Sequence, residues 1–397
     1  GTLLAAPTFN TGQTPSAIAS GDFNGDARPD LVVASSGSRD LWFLEGRGAG
    51  AYLAPKQFTI PGARPAALAA ARFDSDSITD LAVADAAANR VHVLFGRTSG
   101  SFAAPVSYPT GGTPSAVLAA DLNGDGKPDL AVASSTSPSG INLFLNNGNG
   151  TFNPGQTLSA GKAPASLTSS DFNGDGKPDL VVADPSTGLQ FLTGNGDGTF
   201  QAAQLLPAAG APALVAAGDL NSDGKPDLVA AGSTPGSPFA SILLGAGDGT
   251  FSDPKALPLD FAPSALAIAD FNGDGRSDLA IATCCDSEAR VKYLLGNGDG
   301  TFKTPTGVGS LGAAFAAALA DLNGDSKLDL ILGDATNSTL VLLAGNGDGT
   351  FQPQTQLAAH GRVYGVTVAD LNGDGRQDVV AALNSNGNAG SGGIDVF

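Results

Sequence analysis

The chain has 397 residues and a formal net charge of -18, with 20 Lys and Arg against 38 acidic residues, of which all but Glu45 and Glu288 are Asp. So acidic a balance, with no basic stretch, excludes nucleic acid and anionic membrane surfaces as expected partners. The longest apolar runs, such as the alanine-rich 313–320, are far too short to span a bilayer, so membrane insertion is not expected either.

Taken in order, the chain opens at Gly1 and contains no Met, as expected of a processed or trimmed segment. It then repeats one unit. Each unit has a run of small residues such as Ser115 to Ala120, a nine-residue acidic loop, and an apolar run such as Leu130 to Ala133. A variable loop, a run such as Asn142 to Leu145, a Gly/Asn/Asp turn and a Phe-bearing run complete it. The acidic loops begin at Asp22, Arg72, Asp121, Asp171, Asp219, Asp270, Asp321 and Asp370, at intervals of 50, 49, 50, 48, 51, 51 and 49 residues. That regularity marks eight copies of one unit, and a single domain using the whole of 1–397.

Short runs rich in Val, Leu, Ile and Ala between turn signals, with nothing long enough for a helix, predict an all-β protein. Four antiparallel strands per unit predict an eight-bladed β-propeller, its alanine-rich first strands nearest the crowded axis. Turns between third and fourth strands are read at Gly194 to Phe200, Gly296 to Phe302 and Gly345 to Phe351, with looser versions at Gly46 to Tyr52 and Gly96 to Phe102. Their Asn and Asp residues suit the positive φ of hairpin turns. The eighth unit stops after its third strand, at Ile394 to Phe397, whereas Gly1-Thr2-Leu3 and Thr8 to Gly12 match the start of a fourth strand. The N-terminal strand is therefore expected to complete the last blade and leave no open edge between the termini.

The loop Asp171-Phe-Asn173-Gly-Asp175-Gly-Lys177-Pro-Asp179 carries side-chain oxygens at positions 1, 3, 5 and 9 and glycines where the backbone must bend sharply. Hard cations that take six to eight oxygen ligands need this pattern, so it is read as a calcium loop. Together with the Gly-Asn-Gly-Asp-Gly-Thr-Phe turn and the period, it resembles the FG-GAP/VCBS repeat family, which includes the β-propeller of integrin α chains and some lectins. The resemblance covers the whole chain and implies the propeller fold, calcium, and an adhesion, glycan-binding or accessory role.

The resemblance places ligands at Asp22, Asn24, Asp26 and Asp30 in the first blade, with the carbonyl of Arg28. The third and fourth blades would use Asp121, Asn123, Asp125, Lys127, Asp129 and Asp171, Asn173, Asp175, Lys177, Asp179. The fifth and sixth would use Asp219, Asn221, Asp223, Lys225, Asp227 and Asp270, Asn272, Asp274, Arg276, Asp278. The last two would use Asp321, Asn323, Asp325, Lys327, Asp329 and Asp370, Asn372, Asp374, Arg376, Asp378. At each Lys or Arg only the carbonyl is a ligand, and the side chain is expected to point to solvent. Position 6 is Ala27 and Ser326 where the other intact loops have Gly, so a left-handed backbone would cost about 1 kcal/mol there. About seven ions are expected, which would move the formal charge from -18 to -4. None is expected in blade two, where Arg72 replaces the first carboxylate and its guanidinium is expected to pair with Asp74, Asp76 or Asp80. Loaded loops should depress their carboxylate pKa values, so that calcium-linked stability fades on acidification.

Catalysis finds little in the sequence. His92 and His360 have no neighbouring nucleophile motif, and two Glu leave few candidates for a carboxylate pair outside the loops. The chain is expected to be no enzyme but a monomeric, calcium-stabilised extracellular or cell-surface module for a glycan or protein ligand. A structural spacer in a larger secreted protein is the alternative, and a polysaccharide lyase or hydrolase is a third. The ligand is expected at the rim opposite the calcium loops, where six units open strand one with Pro (Pro15, Pro65, Pro114, Pro164, Pro212, Pro263) and the last two with Phe315 and Tyr364. Phe239, Phe261, His360, Cys284 and Cys285 lie nearby, and exposed aromatics stack on sugars or anchor peptides. In a secreted protein the two cysteines, the only ones present, would form a disulfide with each other and a rigid apolar facet.

Overall fold

The second strand of each unit dictates the architecture. Asp30–Ser35, Asp80–Asp85, Asp129–Ser134, Asp179–Asp184 and Asp329–Asp334 are buried at every position. Successive side chains of a strand point to opposite faces, so a sheet built around these strands must be covered on both. The computed structural model describes residues 8–47, 52–208, 210–234, 237–259, 262–283, 289–303, 306–311, 314–325, 327–334, 336–348, 350–370, 377–384 and 392–397. It solves the burial problem with eight four-stranded antiparallel sheets set as the blades of a propeller. In blade 3 the strands run, from axis to rim, Pro114–Ala120, Asp129–Ser134, Gly140–Asn146 and Phe152–Leu158.

Alternation along the second strand divides its side chains between two neighbours. Val32 and Ala34 of blade 1 pack with Leu81 and Val83 of blade 2, whereas Leu31 and Val33 pack with Val380 and Ala382 of blade 8. A cluster of this kind lies at each of the eight seams. Each fully buried Leu or Val in them contributes about 1.5–3 kcal/mol. Near the axis the first strands converge and small residues are required: a Cβ at Gly218 would lie 2.9 Å from Ile268 Cγ2 in the next blade.

Closure follows the sequence expectation. Thr8–Gly12 is the outer strand of blade 8, antiparallel to Gly392–Val396 with Thr8 opposite Asp395 and Phe9 opposite Ile394. The inner strand of blade 8, Arg362–Ala369, meets that of blade 1, Pro15–Gly21. The match of Gly1 to Leu3 with a fourth strand lies outside the described residues.

Turns between third and fourth strands close with bridges Gly46 to Tyr52, Gly194 to Phe200, Gly245 to Phe251, Gly296 to Phe302 and Gly345 to Phe351. The aromatic ending each turn reaches across a seam to the blade before it. Phe102 of blade 2 stands 5.7 Å from Phe23 and 5.9 Å from Phe43 of blade 1 in edge-to-face contacts, an arrangement worth about 0.5–1.5 kcal/mol per pair beyond burial. Among the described residues no helix is long and apolar enough to cross a membrane.

The register corrects one reading. The first-to-second strand pairing carries a bulge after the opening residue: Pro15 faces Ser35 and Ala17 faces Ala34, leaving Ser16 as the extra residue. In blades 7 and 8 the residues at the register position of Pro15 are Ala314 and Val363, opposite Asp334 and Leu383. Phe315 and Tyr364 therefore stand at the bulge, equivalent to Ser16, and not at the proline position; their side chains lie outside the description.

Candidate metal centres

The acidic loops join first and second strands, and their backbone is shaped by their own side chains. In blade 3 the Asp121 carboxylate accepts the N–H groups of Gly124 (2.8 Å) and Asp125 (3.2 Å) on Oδ1 and of Gly126 (2.8 Å) on Oδ2. Asn123 Oδ1 accepts Asp125 N–H at 2.9 Å, and Asp125 Oδ1 accepts Lys127 N–H at 3.0 Å. The same folding-back recurs with Asp22, Asp171, Asp219, Asp270 and Asp321 as first residue. It requires left-handed backbone at positions 4 and 6, met by Gly124 (φ +76°) and Gly126 (φ +82°). Ala27 takes this conformation at position 6 with φ +64°, as read from the sequence, and Ser222 takes it at position 4 with φ +59°, which the sequence reading missed. Ser326 lies outside the described residues, as do Asn372, Asp374 and Arg376 of the last loop, where Asp370 and Asp378 are described.

The ninth residue ties the loop to the rest of its blade. Asp30 is fully buried; its Oδ2 accepts Phe23 N–H at 3.0 Å and its Oδ1 accepts Gly46 N–H, from the turn after strand three, at 2.8 Å. Asp129, Asp179, Asp227, Asp278 and Asp329 make the same two bonds. Burial, assisted by the nearby Asp26 and Asp22 charges and opposed by the two N–H bonds, pushes Asp30 up to about 7. Asp129 and Asp278 are pushed to about 6 by the same balance, and Asp179, Asp227 and Asp329 also rise. In the chain's own field these carboxylates thus move opposite to the depression expected of loaded loops, because desolvation and like charge act without a counter-ion. All side-chain donors are oxygens, three of four are carboxylates, and the buried one sits in uncompensated negative charge. This donor set fits a hard divalent cation.

The cation at position 7 does not simply project into solvent. Lys177 lies over the turn of its own blade, where a Cβ at Gly196 (φ +80°) would come within 2.7 Å of Lys177 Cδ. Gly148, Gly247, Gly298 and Gly347 meet Lys127, Lys225, Arg276 and Lys327 likewise. Lys127 Nζ reaches Asp125 at 3.1 Å and Lys177 Nζ reaches Asp175 at 3.7 Å. In the turns themselves, Asp197, Asp248, Asp299 and Asp348 accept the N–H and hydroxyl of the Thr two residues on. Those bonds, the hydroxyl's first, hold all four below the usual carboxylate range, as hairpin-turn residues.

Blade 2 departs from its expected form. Arg72 is exposed and makes no ion pair among the described residues, so it does not fill the loop. Instead Asp74, Asp76 and Asp80 bring carboxylate oxygens within 4.8 Å of one another, a set of three acids that could hold a metal. Asp stands at position 3 here, where the other loops have Asn. Ser75 and Ser77 are not left-handed, and Ile78 at position 7 is buried, with Thr79 N–H donating to the Asp22 carbonyl of blade 1 at 2.7 Å. Burial and the Asp74 and Asp76 charges push Asp80 to about 6.

A hydrogen-bonded Ser107–His92–Asp85 chain also escaped the sequence reading. His92 Nδ1 meets Ser107 Oγ at 2.7 Å and Nε2 meets Asp85 Oδ2 at 3.1 Å. The three residues are distant in sequence, and only the cross-strand register, with His92 opposite Ser107, joins them. His92 is 5% exposed, and Asp85 also accepts the N–H groups of Arg64, Ala87 and Ala88. Burial raises Asp85, but these four donors outweigh it and hold the carboxyl below the usual range. This is the bonding of a satisfied polar group inside a blade.

Of the residues expected at the opposite rim, Phe239 and His360 have described side chains. Phe239, in the third strand of blade 5 (Ser237–Leu243), is half-buried and its ring lies where a Cβ on Gly210 would clash. His360, in the connection between blades 7 and 8, has a side chain 61% exposed; its N–H donates to Asp395 of blade 8 at 2.9 Å and Nδ1 lies 3.2 Å from both carboxylate oxygens. Phe261, Cys284 and Cys285, with the expected disulfide, lie outside the described residues.

Fold and loops together define an eight-bladed propeller whose first hairpin in each blade is an acidic, cation-type loop. The FG-GAP-like repeat family matches residues 22–83, 72–132, 121–182, 171–230, 219–281, 270–332 and 321–381, and the chain belongs to that family. No curated protein matches it in sequence. Among solved structures it is similar to Sqt1 from Chaetomium thermophilum, with 12% identity, a TM-score of 0.62, and coverage of 100% of this chain and 99% of that one. It is also similar to BBS1N in complex with ARL6DN, with 15% identity, a TM-score of 0.53, and coverage of 99% and 96%. The V. cholerae biofilm matrix protein Bap1 shares 12% identity at a TM-score of 0.43, over 100% of this chain and 91% of that one. At these identities the likeness is one of fold.

Proposed function

We propose that residues 1–397 form one calcium-stabilised, non-catalytic binding domain that works as a monomer outside the cell or at its surface, where calcium is abundant. The observation that carries this reading is the buried ninth carboxylate, held among like charges in loop after loop and pushed as high as about 7 at Asp30. A bound divalent cation supplies the missing positive charge. Side-chain oxygens at positions 1, 3, 5 and 9 and the carbonyl at position 7 would hold it. Seven tight sites follow from the seven intact loops, with the Asp74, Asp76 and Asp80 cluster of blade 2 left empty until calcium is in excess.

The partner is a glycan or an extracellular protein, met at the rim opposite the loops. The units differ most there, and His360 offers an exposed imidazole oriented by a buried carboxylate. A spacer role in a larger protein is the second reading, favoured by the packing of Phe239 against Gly210, which leaves that ring less free for a ligand. Glycan and extracellular-protein arrays, run with calcium and with chelator, separate the two. Calcium-dependent binding that falls at least tenfold in His360→Ala supports the rim; silence on both arrays with a folded, loaded protein supports the spacer.

A further inference from the structure

The third strand of blade 6, Ala289–Leu294, sets Tyr293 opposite Ala280. At the same register position blades 1 and 4 carry Phe43 and Phe191, and blades 5 and 7 carry Ile242 and Leu342. Packing at this point is therefore met by apolar side chains. Phe172, Phe191 and Phe251 form an aromatic trio at the seam of blades 4 and 5. Phe271, Tyr293 and Phe351 repeat it at the seam of blades 6 and 7, with the tyrosine ring 5.4 Å from Phe271 and 5.1 Å from Phe351. The hydroxyl is the only polar side-chain atom in either trio.

That hydroxyl is sealed in. Tyr293 is 2% exposed, and its Oη makes no hydrogen bond to a protein group among the described residues. A buried hydroxyl without a partner is destabilising, whereas Phe would fill the same space without that penalty. Its surroundings point to one kind of partner. Burial first, and then the charges of Asp278, Asp270, Asp348 and Asp274, hold the phenol well above its usual pKa, so it is a neutral donor facing negative charge. Three of those four carboxylates are loop residues of blade 6, and Phe271, against which the ring packs, is that loop's second residue.

We propose that Tyr293 is a positioning residue for the cation of the blade 6 loop, its hydroxyl donating to a water held between it and the carboxylate–cation assembly. The proposal rests on the calcium reading of the loops. A bridging water needs two to four polar partners, and the hydroxyl, a loop carboxylate and the cation supply three. Groups that orient ligands from behind typically change metal affinity by about 10–100-fold when removed. Occupancy of this loop is thereby coupled to the aromatic contact between blades 6 and 7, a coupling that the Phe191 trio lacks.

Calorimetric titration of calcium into the stripped 397-residue chain tests this with Tyr293→Phe, Asp274→Asn and the double variant. Tyr293→Phe is expected to weaken one site about tenfold and to leave the others and the stoichiometry unchanged. Asp274→Asn is expected to disable that same site, so the double variant titrates like Asp274→Asn alone. In chelator the melting temperature of Tyr293→Phe is expected to equal or exceed the parent's, because Phe43 and Phe191 occupy equivalent positions. A titration that superimposes on the parent's overturns the proposal. So does an effect that adds in full to that of Asp274→Asn, or an equal loss of melting temperature with and without calcium, which is the mark of a packing role. If the parent itself takes up no calcium, the reading of the loops fails and this inference with it; if the parent binds and only Tyr293→Phe is silent, the loops stand and the tyrosine does not.

Discussion

A single carboxylate at the ninth loop position has two tasks that pull in opposite directions. As an acceptor of two backbone N–H groups, Asp129 links Leu122 in the loop to Asn146 at the end of strand three. As a buried charge beside Asp125 and Asp121 it is repelled and desolvated. Asp129→Asn keeps the shape but turns an amide N–H₂ toward one of the two donors, leaving an unpaired buried N–H. A loss of about 1–3 kcal/mol is expected in urea unfolding run in chelator, where cation binding cannot contribute; an unchanged midpoint would remove the linking role. The pH dependence follows from the raised values at Asp30, Asp129 and Asp278, about 6 to 7 against an ordinary 3.8. The native state binds these protons more tightly than the unfolded chain, so their contribution is fully present below about pH 4 and is lost as pH rises through 6 to 7. Chelated protein should therefore gain stability from pH 7.5 to pH 5. Protons compete with calcium for the same carboxylates, so the advantage of the calcium-loaded protein should begin to shrink as pH falls through that window and disappear at more acidic pH. Melting temperatures of loaded and chelated samples are expected to draw together as pH falls below about 6; curves that stay parallel would contradict this. Asp85 and Asp184 are buried, yet hydrogen bonds hold both below the usual range, so their contribution is lost only at more acidic pH.

At the scale of the element, the loop is a backbone problem as much as an ionic one. Left-handed backbone at positions 4 and 6 goes with the bonds that the position 1 carboxylate receives, since blade 2 keeps the bonds to positions 3 and 5 without it; Ala27 and Ser222 adopt this backbone at a steric cost of about 1–2 kcal/mol. Glycine relieves that cost and gives back about 0.5–1 kcal/mol in unfolded-state entropy. Ala27→Gly and Ser222→Gly are each expected to stabilise by up to about 1 kcal/mol in urea unfolding with chelator present. A clear loss of stability in both would mean the strain lies elsewhere. Much of this element was legible in the sequence, because spacing within nine residues is local and an Asp-x-Asn-x-Asp-Gly pattern leaves the chain few alternatives. The opening position of strand one is a matter of counting: Pro15 lies seven residues before Asp22, and the same count back from Asp321 and Asp370 gives Ala314 and Val363, in agreement with the register, whereas Phe315 and Tyr364 fall one residue later, on the bulge. What depended on register was not legible. Ser107, His92 and Asp85 meet only once three strands are aligned, and the bond from Gly46 to Asp30 spans a strand and a hairpin. For Arg72 the sequence offered charge complementarity alone, and the side chain stays exposed.

Across the whole molecule, the ring is closed by a strand taken from the other end of the chain. Thr8–Gly12 covers the edge of Gly392–Val396, and its removal would bare a row of unpaired backbone groups with Ile394 and Val396 beneath it. A chain lacking residues 1–12 is expected to melt lower and to self-associate, read by size-exclusion chromatography; a monomer as stable as the parent would show the closing strand to be dispensable. Periodicity and the two chain ends made this closure readable from the sequence, since a repeat that stops one strand short must find that strand elsewhere. The seams were legible only in part: apolar alternation requires cover on both faces, but which residues meet across a seam is set by the twist and stacking of the blades. Charge extends over the same scale. If each of the seven intact loops takes one cation, as proposed, Arg72→Asp is expected to add an eighth tight site and raise the ion count in native mass spectrometry from seven to eight. Thermal unfolding of the 397-residue chain in excess chelator, and again after calcium is restored, tests the role of the loops most directly. If the loops are structural calcium sites, the melting temperature falls by at least several degrees in chelator and recovers fully with calcium; superimposed melting curves would contradict it.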